Sequence, residues 1–503
     1  MTDAILCLDS GTTAVKAAIF TACGRIVAME EAPNDALRRS GAAVEQDMDA
    51  SLSGAVDILG TIAGQLGRLT PRVLVVTGQG DGTWPIDSAG RPVDHALTWL
   101  DSRPNELIDE LEADGSLARL RALTLTRPTA ASQPLQLAWL ARRQPDRFAR
   151  IARSLRSKEW LVHGLTGEMM SEPSAVMPNW GDWRRQAVDP EVGRILGLPG
   201  LERLLPPVRA FADCHAGLSP EMARRVGLPA GLTVLLGPGD SQAAAIGLGV
   251  GVLPGMERIS LFGTSAIHMR HLSSLDEVRP EPPGAILLPF AEPGEYLRSL
   301  PGLNGATILS RMNDIMRFPG AAPFQPNGLV VHPFLEAAGE RAPVTDPHAA
   351  GALLGLSMAT EAGDIASAGF EALAFVARMS HEMMGGPGGP VALSGGLSGD
   401  DGFARLFATV LQRPVRRTRT AHSGLVGVGL LGARHIAGGR LSDQAGRWLA
   451  DGLEEVPPET GPLAAYLDRK YRLFCSLLER IAPLWPEMAA VGAMAETLRA
   501  ARR

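Results

Sequence analysis

Two stretches of this chain are built alike, and their likeness limits the fold more than any other feature. LCLDSGTTAVKAAIF at residues 6–20 sets an apolar run, a polar turn and a second apolar run in sequence. RISLFGTSAIHM at 258–269 repeats the arrangement. Short apolar runs on either side of a glycine-bearing turn predict paired buried strands. The strands are expected at 5–8 and 17–20, and again at 258–262 and 266–269. One such hairpin near the start of each half predicts two related α/β domains facing each other across a cleft. With 503 residues, the chain exceeds one ordinary hydrophobic core. The glycine-rich stretch LGVGVLPG at 248–255 reads as the hinge, dividing the chain into domains 1–250 and 251–503.

Other strands end in glycine turns as well. VLVV at 73–76 runs into TGQGDG at 77–82, and TVLL at 233–236 runs into GPGD at 237–240. A small-residue helix is expected at 241–247, and further helices at 135–143 and 369–384. VAL at 391–393 leads into SGGLSGD at 394–400. The tail at 466–484 is amphipathic at helical spacing and is expected to pack back on the core, with a membrane-surface role as the weaker rival.

The net charge of -6 argues against a large nucleic-acid footprint. No apolar run is long enough to span a bilayer, and the first residues lack the pattern of a signal peptide. Cys7, Cys23, Cys214 and Cys475 show no CxxC spacing, so they are expected to be reduced, as in a cytoplasmic protein. No nucleic-acid or membrane partner is expected. A small-molecule ligand remains, since a phosphate can be met locally by backbone amides and a metal.

The first turn raises that possibility directly. Gly11 permits a tight bend, and the hydroxyls of Thr12 and Thr13 with the turn amides could hold phosphate oxygens. Asp9 would repel a phosphate unless a divalent cation lay between them. The same residues could also simply close a hairpin as an Asx-type turn.

Taken together in order, these motifs resemble the FGGY carbohydrate kinase family, over essentially the whole chain. The resemblance rests on DSGTTAVKAAIF, VEQD at 44–47, TGQGDG, WLDSR at 99–103, KEWLVHGLTGE at 158–168 and LLPPV at 204–208. In the second half it rests on GPGDSQAAAIGLG, LFGTS, PFLEAAGERAP at 333–343 and LSGGLSGDD at 393–401. It implies two actin-like, ribonuclease-H-like ATPase domains facing across a cleft, with the acceptor on the first and the nucleotide on the second. It also implies transfer of the γ-phosphoryl of ATP, with Mg2+, to a sugar or polyol hydroxyl.

By this resemblance Asp240 is the general base, which phosphoryl transfer from ATP to an alcohol can use. Asp240 could also cap the helix it precedes, and both roles can hold. Asp9 matches the metal-side residue, with Asp240 beside it. Gly11, Thr12, Thr13 and Lys16 match the first phosphate motif, although Lys16 could instead pair across the hairpin. Gly263, Thr264 and Ser265 match the second. Gly305, Gly396 and Asp400 resemble adenosine-side positions, where the alternative for the glycines is loop punctuation. The sequence departs from the family pattern at AHSGLVG, 421–427, where many members carry a glutamate and this chain has His422, read here as a satisfied structural histidine. It departs again at Leu309, where some relatives have glutamine.

The acceptor site is expected from TGQGDG, WLDSR and Asp240, with Gln79, Gly80, Asp81, Trp84, Asp101 and Ser241 as its residues. Gly80 and Gly82 would open space, Asp81 would accept from two adjacent hydroxyls, and Trp84 would offer a flat apolar face or else belong to the core. Such a pocket suits an uncharged polyol or ketose. GQGDGTWPID resembles the erythritol kinase branch, with the xylulose kinases near rivals. A non-catalytic sugar sensor on the same fold, and a cytoskeletal or chaperone-type ATPase, are the competing classes. The oligomeric state is open, with a homodimer as one option.

Overall fold

A computed structural model describes residues 3–316, 324–336, 339–418, 422–449 and 452–500. Ala337 and Ala338 of the PFLEAAGERAP motif, and Ala421 of AHSGLVG, lie outside the described residues.

The first sheet has six strands: β1 (Asp3–Ser10), β2 (Ala14–Thr21), β3 (Ile26–Pro33), β4 (Thr70–Gly78), β5 (His215–Gly217) and β6 (Thr233–Gly239). Their spatial order is β5-β6-β4-β1-β2-β3. The hairpin expected at the start of the chain forms, with Leu8 opposite Ala17. On its other side β1 runs parallel to β4, which runs parallel to β6.

The second sheet follows the same plan. Its strands are β7 (Arg258–Phe262), β8 (Ala266–Leu272), β9 (Ile286–Pro289), β10 (Tyr296–Gly302), β11 (Val391–Gly395), β12 (Val415–Arg417) and β13 (Glu454–Val456). They are ordered β9-β10-β8-β7-β11-β12-β13. Again the first strand, β7, pairs antiparallel with its hairpin partner and parallel with a later strand, β11. The molecule is thus mixed α/β with two like-built sheets.

Helices join the halves. The ones used below are α1 (Ser157–Thr166), α2 (Pro173–Trp180), α3 (Asp240–Gly247), α4 (Ser423–Ala437), α5 (Pro462–Ile481) and α6 (Trp485–Ala500). α4, from the second half of the sequence, lies on the first sheet: Val428 and Leu431 share a core with Ile5, Val73 and Val75. That core also takes in Ile246 of α3 and Ile259, Met269 and Ala392 of the second sheet. Burying these apolar faces against one another makes the core continuous across residue 250. The expected hinge at 248–255 belongs to it, because Leu248 and Val250 are fully buried.

The expected tail packs through Leu467, Tyr471, Phe474 and Leu478 of α5. The helix that follows, α6, buries only Trp485. No helix among the described residues is long and apolar enough to cross a membrane. All four cysteines are free, with Cys7 and Cys214 buried.

Candidate active site

Parallel pairing brings the chemistry together. Because β1, β4 and β6 run the same way, their C-terminal ends lie side by side. Asp9 is in register with Thr77, Ser10 with Gly78, and Gly78 with Gly239. The strand ends are close: a Cβ on Gly78 would stand 2.8 Å from the Ser10 carbonyl oxygen. Thr77 Oγ1 donates to the Pro238 carbonyl at 2.6 Å, binding the two turns at their base. From this edge Gln79 to Asp81 and Asp240 line one crevice at the carboxyl ends of parallel strands, while Asp9, near the end of β1, lies outside its lining.

A cleft of about 1250 Å³ lies there, lined from the first half by Thr12, Gln79, Gly80, Asp81, Asp240 and Ser241, and from the second by Ser265 and Arg341. Asp240 is surrounded by protein mass yet reachable by solvent from the cleft. It is the first residue of α3 rather than its cap. Gly239 takes the cap position, and the Asp240 carboxylate accepts from the Ser241 amide at 2.7 Å. Burial, reinforced by the charge of Asp81, lifts its carboxyl to about 6, while the Ser241 amide and Lys158 act against the rise. Asp9 is lifted further, to about 7, by burial and then by Asp240, with only Lys16 opposing.

The charge of Asp240 raises the proton affinity of Asp9, an effect that a cation held near both would offset. Asp9 Oδ1 is buried and has no hydrogen-bond partner. Among the described residues no group of three or more His, Cys, Asp or Glu could hold a metal unaided. Asp9 and Asp240 fit Mg2+, an ion that commonly takes one or two protein carboxylates and completes its shell with phosphates and water.

Lys16 stands opposite Asp9 in the β1–β2 register and lies 3.6 Å from Glu31. The first turn is closed by Gly11 N to the Ala14 carbonyl at 3.0 Å, and Asn34 Nδ2 holds the Gly11 carbonyl at 2.8 Å. Thr12 accepts from Trp99 Nε1 at 2.9 Å, while Thr13 is exposed. The second turn, with Gly263 and Thr264 exposed, is closed by Gly263 N to the Ser265 carbonyl at 2.9 Å. Gly305 lies directly against that turn; a Cβ there would stand 2.3 Å from the Ser265 carbonyl carbon. Gly396 faces open space, and Asp400 caps the helix Asp401–Leu411 by accepting from Phe403 N at 2.8 Å. None of Asp9, Gly11, Thr13, Lys16, Gly263, Thr264, Gly305, Gly396 and Asp400 lines the cleft itself.

Gln79 lies in the cleft wall and donates from Nε2 to Gln46 Oε1 at 2.9 Å. Asp81 accepts from Asn179 Nδ2 at 3.2 Å, and burial raises its carboxyl despite the guanidinium groups of Arg156 and Arg341. Gly80 does open space, with nothing within 4 Å of a Cβ there. Gly82 does not. Its φ of +113 and the Leu97 oxygen 2.6 Å from a would-be Cβ make it a packing glycine.

Two expected acceptor residues lie off the cleft. Trp84 is fully buried in the core beneath the first sheet, with Met48, Ile86 and Trp160. Every residue of the strand Gly82–Ile86 is buried, so the Trp84 ring has no face toward the cleft or solvent. Asp101 is 1% exposed and its oxygens are taken up by Val44 N at 3.2 Å and by the backbone and guanidinium of Arg103, so it orders the WLDSR loop.

Trp99, Lys158, Asn179 and Arg341 line the cleft although no role was read for them in sequence. Trp99, Lys158 and Arg341 sit in quoted motifs, whereas nothing local marks Asn179. His422 precedes α4 with Nδ1 buried and unpartnered, so it is not the satisfied histidine expected; burial and then Lys16 lower its pKa. Leu309 packs against the core of the second half.

Family models match on both halves: the N-terminal domain of the FGGY family of carbohydrate kinases over residues 4–247 and its C-terminal domain over 312–436. The erythritol kinase of Brucella abortus is 27% identical, with 97% of this chain and 98% of that protein covered. The xylulose kinase of Streptomyces coelicolor is 28% identical over 88% of this chain and 90% of its own. A crystal structure of gluconate kinase from Lactobacillus acidophilus superposes with a TM-score of 0.86 at 18% identity, covering 97% of this chain and all of that one. With two like-built sheets, a carboxylate-lined cleft between them and both family domains matched in order, this chain belongs to the FGGY carbohydrate kinases, phosphotransferases that act on sugars and use ATP as the phosphate donor.

Proposed function

We propose that this enzyme phosphorylates a hydroxyl of a small uncharged polyol, with erythritol as the best-supported acceptor, and that Asp240 is its general base. The position of Asp240 carries the proposal: it stands in the cleft at the end of β6, with Asp81 and Asp9 near enough to shift or share its charge. A carboxyl near 6 is ionised at neutral pH yet more basic than an ordinary aspartate, which suits it to take a hydroxyl proton.

The acceptor lies between Asp81 and Asp240. One hydroxyl faces the Asp240 carboxylate, and neighbouring hydroxyls donate to Asp81, which Asn179 orients. As the acceptor oxygen forms its bond to the γ-phosphorus, Asp240 takes the hydroxyl proton. The bond from phosphorus to the bridging oxygen breaks, and ADP leaves with that electron pair. The turns at Gly11–Thr13 and Gly263–Ser265 would meet the phosphates from opposite halves through groups other than the Gly11 and Gly263 amides, which donate within their own turns. Asp9 and Asp240 would hold Mg2+, which neutralises phosphate charge when bound. Closure of the two halves around the acceptor limits attack by water.

Arg341 reaches the cleft from the second half, with Asp81 and Glu340 favouring its charge, and supplies a donor that a carbonyl oxygen could also use. The 28% identity to a xylulose kinase over most of both chains supports a pentulose acceptor as the second reading.

Release of ADP from Mg·ATP by the purified protein should be measured with erythritol, glycerol, D- and L-xylulose and gluconate. The highest kcat/KM is expected with erythritol. A xylulose optimum selects the second reading, and no stimulation by any acceptor overturns both.

A further inference from the structure

The KEW motif enters none of the steps above, yet its lysine is one of the most deeply placed charges in the chain. Lys158 and Glu172 form an ion pair with both side chains fully buried. Lys158 Nζ also donates to the Gly237 carbonyl at 2.8 Å, three residues before Asp240. Glu172 caps α2, accepting from Ser174 N at 2.5 Å and from Ser174 Oγ at 2.6 Å. α2 carries Asn179, the partner of Asp81.

Two residues earlier a second buried cation does parallel work. Arg156 is 1% exposed. Its guanidinium donates to the Gly82 carbonyl at 2.5 Å and to the Ala175 carbonyl at 2.8 Å. Gly82 follows Asp81 directly, and Ala175 is in the first turn of α2. The start of α1, from which both cations extend, is itself fixed, since Glu159 accepts from Arg156 N at 2.7 Å.

We infer that Arg156 and Lys158 are positioning residues for phosphoryl transfer: from one short segment they tie the Asp81 turn, the Asn179 helix and the Asp240 strand end into a single unit, and so set the gap the acceptor must fill. Burying two cations is costly and is offset only where every donor has a partner. A site that must hold carboxylates within tenths of an ångström gains from such anchors, because small misplacements of reacting groups cost large factors in rate.

This rests on the acceptor binding between Asp81 and Asp240. A wild-type enzyme inert toward every acceptor would remove that reading, whereas an active wild type with indifferent variants removes only the present one. Two variants keep the fold within reach. Lys158→Met with Glu172→Gln removes both charges together, leaving no buried ion unpaired. Arg156→Lys keeps the charge but loses the planar fork that spans two carbonyls. Each is expected to raise the acceptor KM about tenfold or more, the range of a lost positioning contact. The ATP KM should stay within about twofold, and more ADP should form per acceptor phosphorylated as water replaces the misplaced hydroxyl. A purely structural role would instead lower the amount of active enzyme and leave that ratio unchanged. An unchanged acceptor KM in folded variants, or an equal rise for ATP, overturns the inference. Should the double variant fail to fold, Lys158→Arg, with a longer head group that displaces the Gly237 contact, is read by the same two ratios.

Discussion

Gly247 and Gly427 meet where α3 crosses α4. A Cβ on Gly247 would stand 1.9 Å from the Ser423 carbonyl oxygen, and one on Gly427 would stand 1.8 Å from the Ala243 carbonyl oxygen. α3 begins with Asp240, and the start of α4 touches Asp9: a Cβ on Gly424 would be 3.2 Å from Asp9 Oδ2. The crossing therefore sets how the two carboxylates approach each other. Gly247→Ala should destabilise by about 3 kcal/mol, the upper range for overpacking against backbone, and should lower kcat with it. Gly446→Ala, at an exposed helical site with nothing within 4 Å, is the control and should stabilise by about 0.5–1 kcal/mol. Thermal unfolding of both variants checks the contrast.

Replacing Asp240 by Asn should cut kcat by about 10²-fold or more, the scale of a lost general base. In the wild type kcat/KM should fall as pH drops through about 6, because the base is lost on protonation. Near-normal turnover in the Asn variant would remove Asp240 from that role.

For Asp9 the linkage runs opposite to that of a salt-bridged aspartate. Its carboxyl rises from 3.8 to about 7 on folding, so between about pH 4 and 7 the folded chain keeps a proton that the unfolded chain has lost. Its contribution to stability is full at low pH and declines as pH rises through that window. Without Mg2+, Asp9→Asn should therefore be more stable than wild type at pH 8, by on the order of 1 kcal/mol after allowing for solvent screening, and equally stable near pH 4. Differential scanning calorimetry across pH measures the gap.

Asp81→Ala should raise the acceptor KM about tenfold through loss of hydrogen bonds to substrate hydroxyls, leaving the ATP KM unchanged. A change confined to ATP would place Asp81 elsewhere in the mechanism. Steady-state kinetics with each substrate varied in turn makes the distinction.

The two tryptophans should separate cleanly. Trp84→Ala, at a fully buried site, should cost about 3–5 kcal/mol of stability. Trp99→Phe keeps an aromatic ring but loses the indole N–H and its bond to Thr12. It should lower kcat/KM several-fold with a Tm close to wild type, the loss of one hydrogen bond being worth about 1 kcal/mol. Paired melting curves and kinetics test both.

Much of this was local enough to be legible in the chain. The hairpins at Asp9 and Gly263 and the strand ends at Gly78 and Gly239 follow from apolar periodicity broken by glycine turns, which depends only on neighbours in sequence, and the family was legible from the resemblance of the motifs taken in order. The helix 369–384 was legible too, although it begins earlier, at Ala362. A residue's environment is a different matter. Trp84 and Trp99 have the same side chain and both stand beside acceptor motifs, yet one is sealed in the core and the other faces the cleft. Asp81 and Asp101 likewise look equally suited to a sugar, but the oxygens of Asp101 are satisfied by its own loop.

By itself, then, the order of residues determined the two half-folds and the chemistry available at their strand ends, since backbone turns and buried strands obey short-range rules. Only the tertiary structure decided which carboxylates stay free to react. That depends on partners more than a hundred residues apart in places, such as the backbone contact of Gly247 with Ser423, and on how burial alters the charge of Asp9 and Asp240 once the halves are packed together.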